Sequence, residues 1–377
     1  MPSTRATSRW WRGSWKTPYW QYFCGFEYFQ HELPVDPTTL VKWRQRMGAD
    51  QLERLLQETI RTAERMGGTR EKTFVRVNVD TTVQEKAVCF PTDARLYHRM
   101  RERLVQAARR RNIRLRQSYT VVGTRALVQH HRYCHAKQYR RARQPLRKMK
   151  TYLGRVVRDV ARQARPEDQD LMNLLAVAQR ILVQGRKSTN KVYSIHEPDV
   201  ACIAKGKAHR RYEFGCKVGV VSTSEGNWVV GVRAFRGNPY DGHTLGESLA
   251  QAERITGRVP DVAYVDRGYR GHRSEGPTRI HMAGSRSLSR ATRSERRRRR
   301  RRAAIEPVIG HLKLDNRMGR NHLKGVAGDA INALLAGCGY NFRKLVRAVA
   351  LFCLWFWTTI GTRRAWSATP ARLLALV

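Results

Sequence analysis

Acidic residues are scarce in this chain: 30 Asp and Glu stand against 73 Lys and Arg over 377 residues, a formal net charge of +43. The excess is spread along nearly the whole length, so it is no tail. Self-repulsion of this size calls for a polyanionic partner, nucleic acid first and an anionic membrane surface second. Long apolar runs are missing too. The nearest, AVALFCLWFWTTI from Ala348 to Ile360, falls short of the roughly 18 to 20 residues of a membrane span; it reads as a buried C-terminal helix or an interface. The opening MPSTRATSRWWRGSW lacks the apolar core of a secretory signal. Seven scattered cysteines form no even framework, which implies a reducing cytoplasm. His130, His131, Cys134 and His135 cluster without a partner CxxC, so a surface turn is favoured over zinc.

What is present suffices for a core in one large domain or two, since 41% of the residues are hydrophobic. After an aromatic and basic start, Asp36-Pro37 reads as a helix cap with proline in the first turn, followed by TLVKWRQRMG. A second cap at Asp50, with Glu53 three residues on, opens a stripe of Leu52, Leu55, Leu56, Ile60 and Ala63 that ends at Gly67-Gly68. A helix-turn-helix and a plain helical hairpin both fit this pair, with Lys42, Arg44 and Arg46 on its basic first member. In TFVRVNVDTT the valines at 75, 77 and 79 alternate with Arg76, Asn78 and Asp80, a strand whose end carries Asp80 opposite the valines. From Thr92 to about Gln184 the chain reads as a basic helical insertion, with Leu153, Val156, Val157 and Val160 on its packing side. RYEFGCKVGVV and NWVVGVRAF form a hairpin about STSEG. A helix capped by Thr244 follows, then a strand, Val262 to Val265, that delivers Asp266 into a loop bearing Arg267 and Arg270. Ser274 to Arg301 is polar and turn-rich and is expected to be mobile. Beyond it, Ile331, Leu335, Cys338, Phe342, Leu345, Val349 and Phe352 predict one long packed helix after Asp329.

Glu306 stands out in RRRRRRRAAIEPVIGHLK, a carboxylate among cations. On a helix, Arg302, Glu306 and Lys313 fall within roughly 40° of one another at about 100° per residue, beside an apolar stripe of Ile305, Ile309 and Leu312. The acid is either a plain ion pair or the holder of a cation beside an anionic substrate. Pro307 either sits in the first turn of a helix that starts here or kinks a longer one. Asp80, Asp266 and Glu306 thus end two strands and begin a helix of an α/β sheet. Carboxylates converging at strand ends suit Mg²⁺, and a pair of such ions serves phosphodiester displacement.

The residues resemble a known family, the DDE transposases of bacterial insertion sequences, in the group typified by insertion sequence five. NVDTT, YVDRGYRG and RRAAIEPVIGHLKLDNRMGRNHLKGVAGDAINALLAGCGYNFR resemble its three catalytic blocks. FCGFEYFQHELPVDPTTLVKWRQR, SIHEPDVACIAKGKAHRRYEFGCKVGV and GNPYDGHTL extend the likeness over most of the chain. The resemblance implies a ribonuclease H-like mixed sheet with a large basic helical insertion and an N-terminal helical domain. It implies that Asp80, Asp266 and Glu306 hold two Mg²⁺ or Mn²⁺ ions, with Arg302 and Lys313 as basic companions of the glutamate. Arg267, Arg270, Lys42, Arg44 and Arg46 join these two as expected DNA contacts.

The activity implied is cut-and-paste transposition in the cytoplasm, at the nucleoid. Water cleaves the strand at the element's end, and the freed 3′-hydroxyl attacks target double-stranded DNA with no covalent protein intermediate. A homodimer holding both ends is implied, and no membrane. The expected layout is an N-terminal DNA-binding region at 1–70, shortened relative to such proteins, a catalytic domain at 71–350 with the insertion at 92–184, and a tail at 351–377. Two departures are Arg299, where the family often has tyrosine, and the unmatched tail TTIGTRRAWSATPARLLALV. The alternative class is a non-catalytic basic DNA-binding protein, or an inactive remnant of a transposase.

Overall fold

A computed structural model describes residues 18–23, 25–32, 36–185, 187–189, 191–204, 211–283 and 292–361. The tail beyond residue 361 and the side chain of Arg299 lie outside the described residues. The chain divides into two compact units, one made of Met1–Ala87 with Gly215–Val377 and the other of Val88–Phe214.

The first unit opens with α1 (Pro18–Phe23), α2 (Pro37–Arg65) and α3 (Glu71–Phe74), then β1 (Arg76–Glu85). Asp36 caps α2 by accepting from the Thr38 amide at 2.8 Å, and Pro37 spends its missing donor in the first turn, where none is needed. Gly48, at φ 61° and ψ −173°, kinks this helix. The segment is thus two helices meeting at the non-helical Gly48, which agrees with the pair read from the sequence. Its second half is core: Leu52, Leu56, Ile60 and Ala63 are buried with Val77 and Val79 of β1. The expected boundary near residue 70 accordingly has no counterpart in the packing, because the stripe that α2 must hide from water is covered by the sheet itself.

The second unit holds α4 (Asp93–Arg110), α5 (Thr120–His135), α6 (Tyr139–Ala161), α7 (Gln169–Val183) and a short β2 (Ala201–Ala204). It is wider than the 92–184 read from sequence. Met100, Leu104, Leu153, Val156, Val160, Leu171, Leu175 and Ile181 form its core, each such side chain contributing about 1.5 to 3 kcal/mol when fully buried. Thr92 and Asp168 cap α4 and α7. The histidine and cysteine cluster lies on α5, not in a turn, with Cys134 Sγ 3.5 Å from His130 Nε2.

The chain then returns through β3 (Tyr212–Thr223), β4 (Val229–Phe235), α8 (Asp241–Thr256), β5 (Val262–Val265), β6 (Arg279–Met282), α9 (Arg293–Arg300), α10 (Ile305–Leu314) and α11 (Gly325–Gly361). Within the first unit the strand order is β4-β3-β1-β5-β6. β1 is antiparallel to β3, from Val77↔Thr223 to Glu85↔Gly215, and parallel to β5, from Arg76↔Val262 to Asn78↔Tyr264. β6 lies parallel to β5. It falls in the stretch expected to be mobile, and a four-residue parallel strand such as RIHM has too little alternation to announce itself.

Each face of the sheet has its own core. Val77, Val79 and Val221 meet α2, Leu245 and Leu249 of α8, and Leu334 and Cys338 of α11. On the opposite face Val218 and Val220 meet Ile305, Val308 and Leu312 of α10. The helix read as starting at Thr244 begins instead at Asp241, and Thr244 is buried within it. The long helix is present, but its expected stripe is only partly covered: Ile331, Cys338 and Leu345 are buried, whereas Phe342, Val349 and Phe352 are exposed.

Candidate functional site

Asp80 is in the middle of a ten-residue strand, not at its end. The sequence looks finished at Asp80 because Thr82 and Gln84 are polar, yet both are buried and β3 pairs with β1 as far as Glu85. Asp80 does end the part of β1 that faces β5, whose ladder stops at Asn78↔Tyr264. Asp80 and Asp266 each follow the last paired residues, Asn78 and Tyr264, by two positions, and both carboxylates act on the phenol of Tyr269. Parity gives the face: Asp80 shares its side with Asn78 and, across the antiparallel ladder, with Val220. That is the side α10 covers.

The approach to α10 is tied to the same face. Asn78 Nδ2 donates to the Arg301 carbonyl at 3.3 Å, within a 3-10 turn (Arg301–Ala304) that leads into the helix. The helix starts at Ile305, with Pro307 in its first turn, and Glu306 exposed beside the buried Ile305. Because residues 301–304 are 3-10 and not α-helical, Arg302 does not keep the phase that a continuous helix would give it with Glu306. It turns toward Asp266, with Nη1 3.9 Å from Oδ1. Lys313 is half-buried at the penultimate position of α10.

Asp266 caps a 3-10 turn (Arg267–Tyr269) by accepting from the Arg267 amide at 2.7 Å, and Asp80 accepts from the Thr81 amide at the same distance. That turn carries Tyr269 inward to the core, where burial, then the Asp80, Asp241 and Asp266 carboxylates, push its phenol well above the usual range. Tyr269 therefore keeps its proton amid three acids. Sequence reasoning passed over Asp241, which stands at the start of α8. Its Oδ1 accepts from Thr81 Oγ1 and from Lys217 Nζ, each at 2.8 Å, and Lys217 also donates to the Pro239 carbonyl at 2.6 Å. Gly268 belongs to this close approach, since a Cβ there would lie 3.1 Å from Asp241 Oδ2. The only signal in the sequence was the segment GNPYDGHTL, noted for its resemblance and not for its acid. Asp241 is paired with Lys217 at 2.8 Å, a closer contact than the 3.9 Å between Arg302 and Asp266.

Arg267 and Arg270 are exposed on the loop after Asp266. Lys42 and Arg46 are exposed on the first half of α2, whereas Arg44 turns partly inward and burial lowers its pKa. Among the described residues no three His, Cys, Asp or Glu side chains gather closely enough to hold a metal ion, so Glu306 stands on the right face without closing on the two aspartates. A cavity of about 590 Å³ in this unit lies elsewhere, lined by Glu53, Arg233 and Arg254.

Comparison with known proteins bears on the same residues. Residues 194–342 match the family described as Transposase DDE domain. That range contains Asp266 and Glu306 and does not include Asp80. Over 124 residues the chain is 50% identical to "Uncharacterized protein ORF8 in nfe locus" of Rhizobium meliloti, an alignment covering 33% of this chain. The chain spans 60% of the length of that curated relative. No solved structure matches. No helix among the described residues is long and apolar enough to cross a membrane. The likeness to a transposase DDE domain thus covers part of the chain, within the α/β unit and the segment that precedes it.

Proposed function

We propose that the chain is a cut-and-paste DNA transposase of the insertion-sequence-five-like group, with a ribonuclease H-like sheet whose Asp80, Asp266 and Glu306 form the reactive centre. The observation that supports the reading is that Asp80 and Asp266 lie just beyond the last β1–β5 pair and both act on the buried Tyr269. Carboxylate oxygen is the donor that Mg²⁺ and Mn²⁺ prefer, and Asp80 on β1 and Asp266 just after β5 would supply it here, with Glu306 as the third ligand. Two such ions, when bound, supply the charge that stabilises the attacking and leaving oxygens of a phosphodiester displacement.

The protein's own part is positioning. Arg302, close to Asp266, and Lys313, on the helix of Glu306, hold the scissile phosphate against the acids. The attacking water forms a bond to phosphorus as the 3′ oxygen leaves, and the freed 3′-hydroxyl repeats the displacement on target DNA. Tyr269, held protonated, offers a hydrogen bond and no added negative charge. Arg267 and Arg270 contact the flanking strand. Lys42, Arg44 and Arg46 contact double-stranded DNA at the element's end. A homodimer holds both ends at the nucleoid, in the cytoplasm.

The second reading, a non-catalytic basic DNA-binding protein, is favoured by one observation: the three acids are not gathered into a ligand set among the described residues. Nicking of supercoiled plasmid separates the two. The transposase nicks with Mg²⁺ or Mn²⁺ and not with EDTA; binding without nicking under all three conditions decides for the second reading.

A further inference from the structure

The helical unit contains a cavity of about 550 Å³ whose walls are strongly basic. Arg99, Arg101, Arg103 and Arg109 of α4, Thr120 at the start of α5, and His196 line it. The acid on its wall, Glu102, is already engaged, 3.1 Å from His98 Nε2 and 3.6 Å from Arg101 Nη2. Arg101 is 2% exposed; Nη1 donates to the Ser118 carbonyl at 3.1 Å, while Nε is buried with no partner. Arg103 is half-buried, and its contact is a ring nitrogen, His196 Nδ1 at 2.8 Å. Burial lowers its pKa with no acid offsetting the loss. A guanidinium taken partly out of water with no carboxylate beside it is costly unless an anion arrives.

Two further features select the anion. α5 is 16 residues long, begins after Tyr119 with no side chain capping it, and turns its first residue to the cavity; free amides and the positive end of the helix dipole favour phosphate there. Arg95, Arg99 and Arg103 recur every fourth residue on α4, so the row climbs about 6 Å per step. It runs past the rim into an adjoining hollow that Arg95 and Arg99 share. A compact anion would use one or two of these forks, whereas a chain of phosphates uses the row.

We propose that this pocket seats a phosphate of a DNA strand, whose neighbouring phosphates follow the α4 arginines. The inference rests on the DNA reading above and adds a contact that none of the residues assigned there supplies. It is tested on the full chain by fluorescence anisotropy with a labelled random-sequence duplex over a range of salt concentrations. R99Q/R103Q is expected to weaken binding about tenfold or more and to lower the log-log salt slope by about one to two. R140Q/R147Q, which removes the same charge from exposed positions on α6, is expected to cost less than about threefold. R109Q, at an exposed rim position, gives the same direction of effect without disturbing the fold. Equal losses for the two double variants overturn the proposal. So does calorimetry showing that inorganic pyrophosphate binds the wild type while R99Q/R103Q keeps wild-type affinity and slope for DNA, since the pocket then takes a small anion. A wild type that nicks DNA with R99Q/R103Q binding as well as it does removes this inference alone; a wild type that binds no DNA removes the transposase reading too.

Discussion

In the sheet-bearing unit three acids each meet a cation: Lys217 on Asp241, Arg302 on Asp266, Lys86 on Asp329. In the helical unit Arg103 is half-buried with no acid beside it, and the cavity it lines holds four arginines against Glu102. Strand register fixes charges in the first unit to specific neighbours, so the arrangement is pairwise and rigid. Helical periodicity in the second repeats Arg95, Arg99 and Arg103 along one face of α4. The first pattern suits chemistry at one phosphate; the second suits a length of strand.

The largest effect separating the two is steric. Gly215 pairs with Glu85 in the β1–β3 ladder, and a Cβ there would lie 1.9 Å from the Gln84 carbonyl oxygen. Gly215→Ala should cost about 4 kcal/mol or more, because backbone cannot move aside without breaking the ladder; thermal denaturation showing a small loss would mean the register is other than described. Next comes the buried ion pair. Lys86 Nζ lies 3.0 Å from Asp329 Oδ1, and Asn321 Nδ2 donates to the same oxygen at 2.7 Å. Asp329→Ala should cost about 3 to 5 kcal/mol by stranding the Lys86 charge, and Lys86→Met added to it should recover part of the loss. Chemical denaturation of the two variants checks both.

Titration should sort the units by pH. In the helical unit, hydrogen bonds from Arg111 and the Leu171 amide lower Asp168 from 3.8 to about 2. Its folded pKa is depressed, so its contribution is present above the unfolded value and is lost as pH falls toward 2; Asp168→Asn should flatten the acid limb of the stability curve. In the sheet unit, burial lowers Lys344 from 10.5 to about 8, its ammonium 4.5 Å from the Trp228 ring centre. Between those values the unfolded chain binds more protons, so stability rises with pH from about 8 to 10.5, and Lys344→Met should remove that limb. The smallest effect is a gain. A Cβ at Gly154, inside α6, would meet nothing closer than 3.5 Å, so Gly154→Ala should stabilise the helical unit by up to about 1 kcal/mol. A loss on melting would show α6 packed more tightly than these contacts.

What could be read from the sequence follows the same division. Helices with a repeating apolar stripe were legible: Leu153, Val156, Val157 and Val160 are buried as their spacing predicts. So was the β3–β4 hairpin, and of the two readings of Pro307 the structure has it in the first turn of α10, which starts at Ile305. The rest was settled by distant partners. β1 runs on through Thr82 and Gln84 because β3 pairs with it and Asn332 Nδ2 reaches Gln84 Oε1 at 2.9 Å. α2 belongs with the sheet because the other side of its stripe is found on β1. At the site, the alternation of β1 set Asp80 opposite the valines, but the Lys217–Asp241 pair joins residues 24 positions apart, with nothing local to mark it.

The central claim is that Asp80, Asp266 and Glu306 act on DNA and do not hold the fold. Asp80→Asn, Asp266→Asn and Glu306→Gln should each lower single-turnover strand cleavage with Mg²⁺ at saturating protein by about a thousandfold or more, with duplex affinity and melting temperature close to wild type. Any one of the three cleaving at the wild-type rate under those conditions would contradict the account.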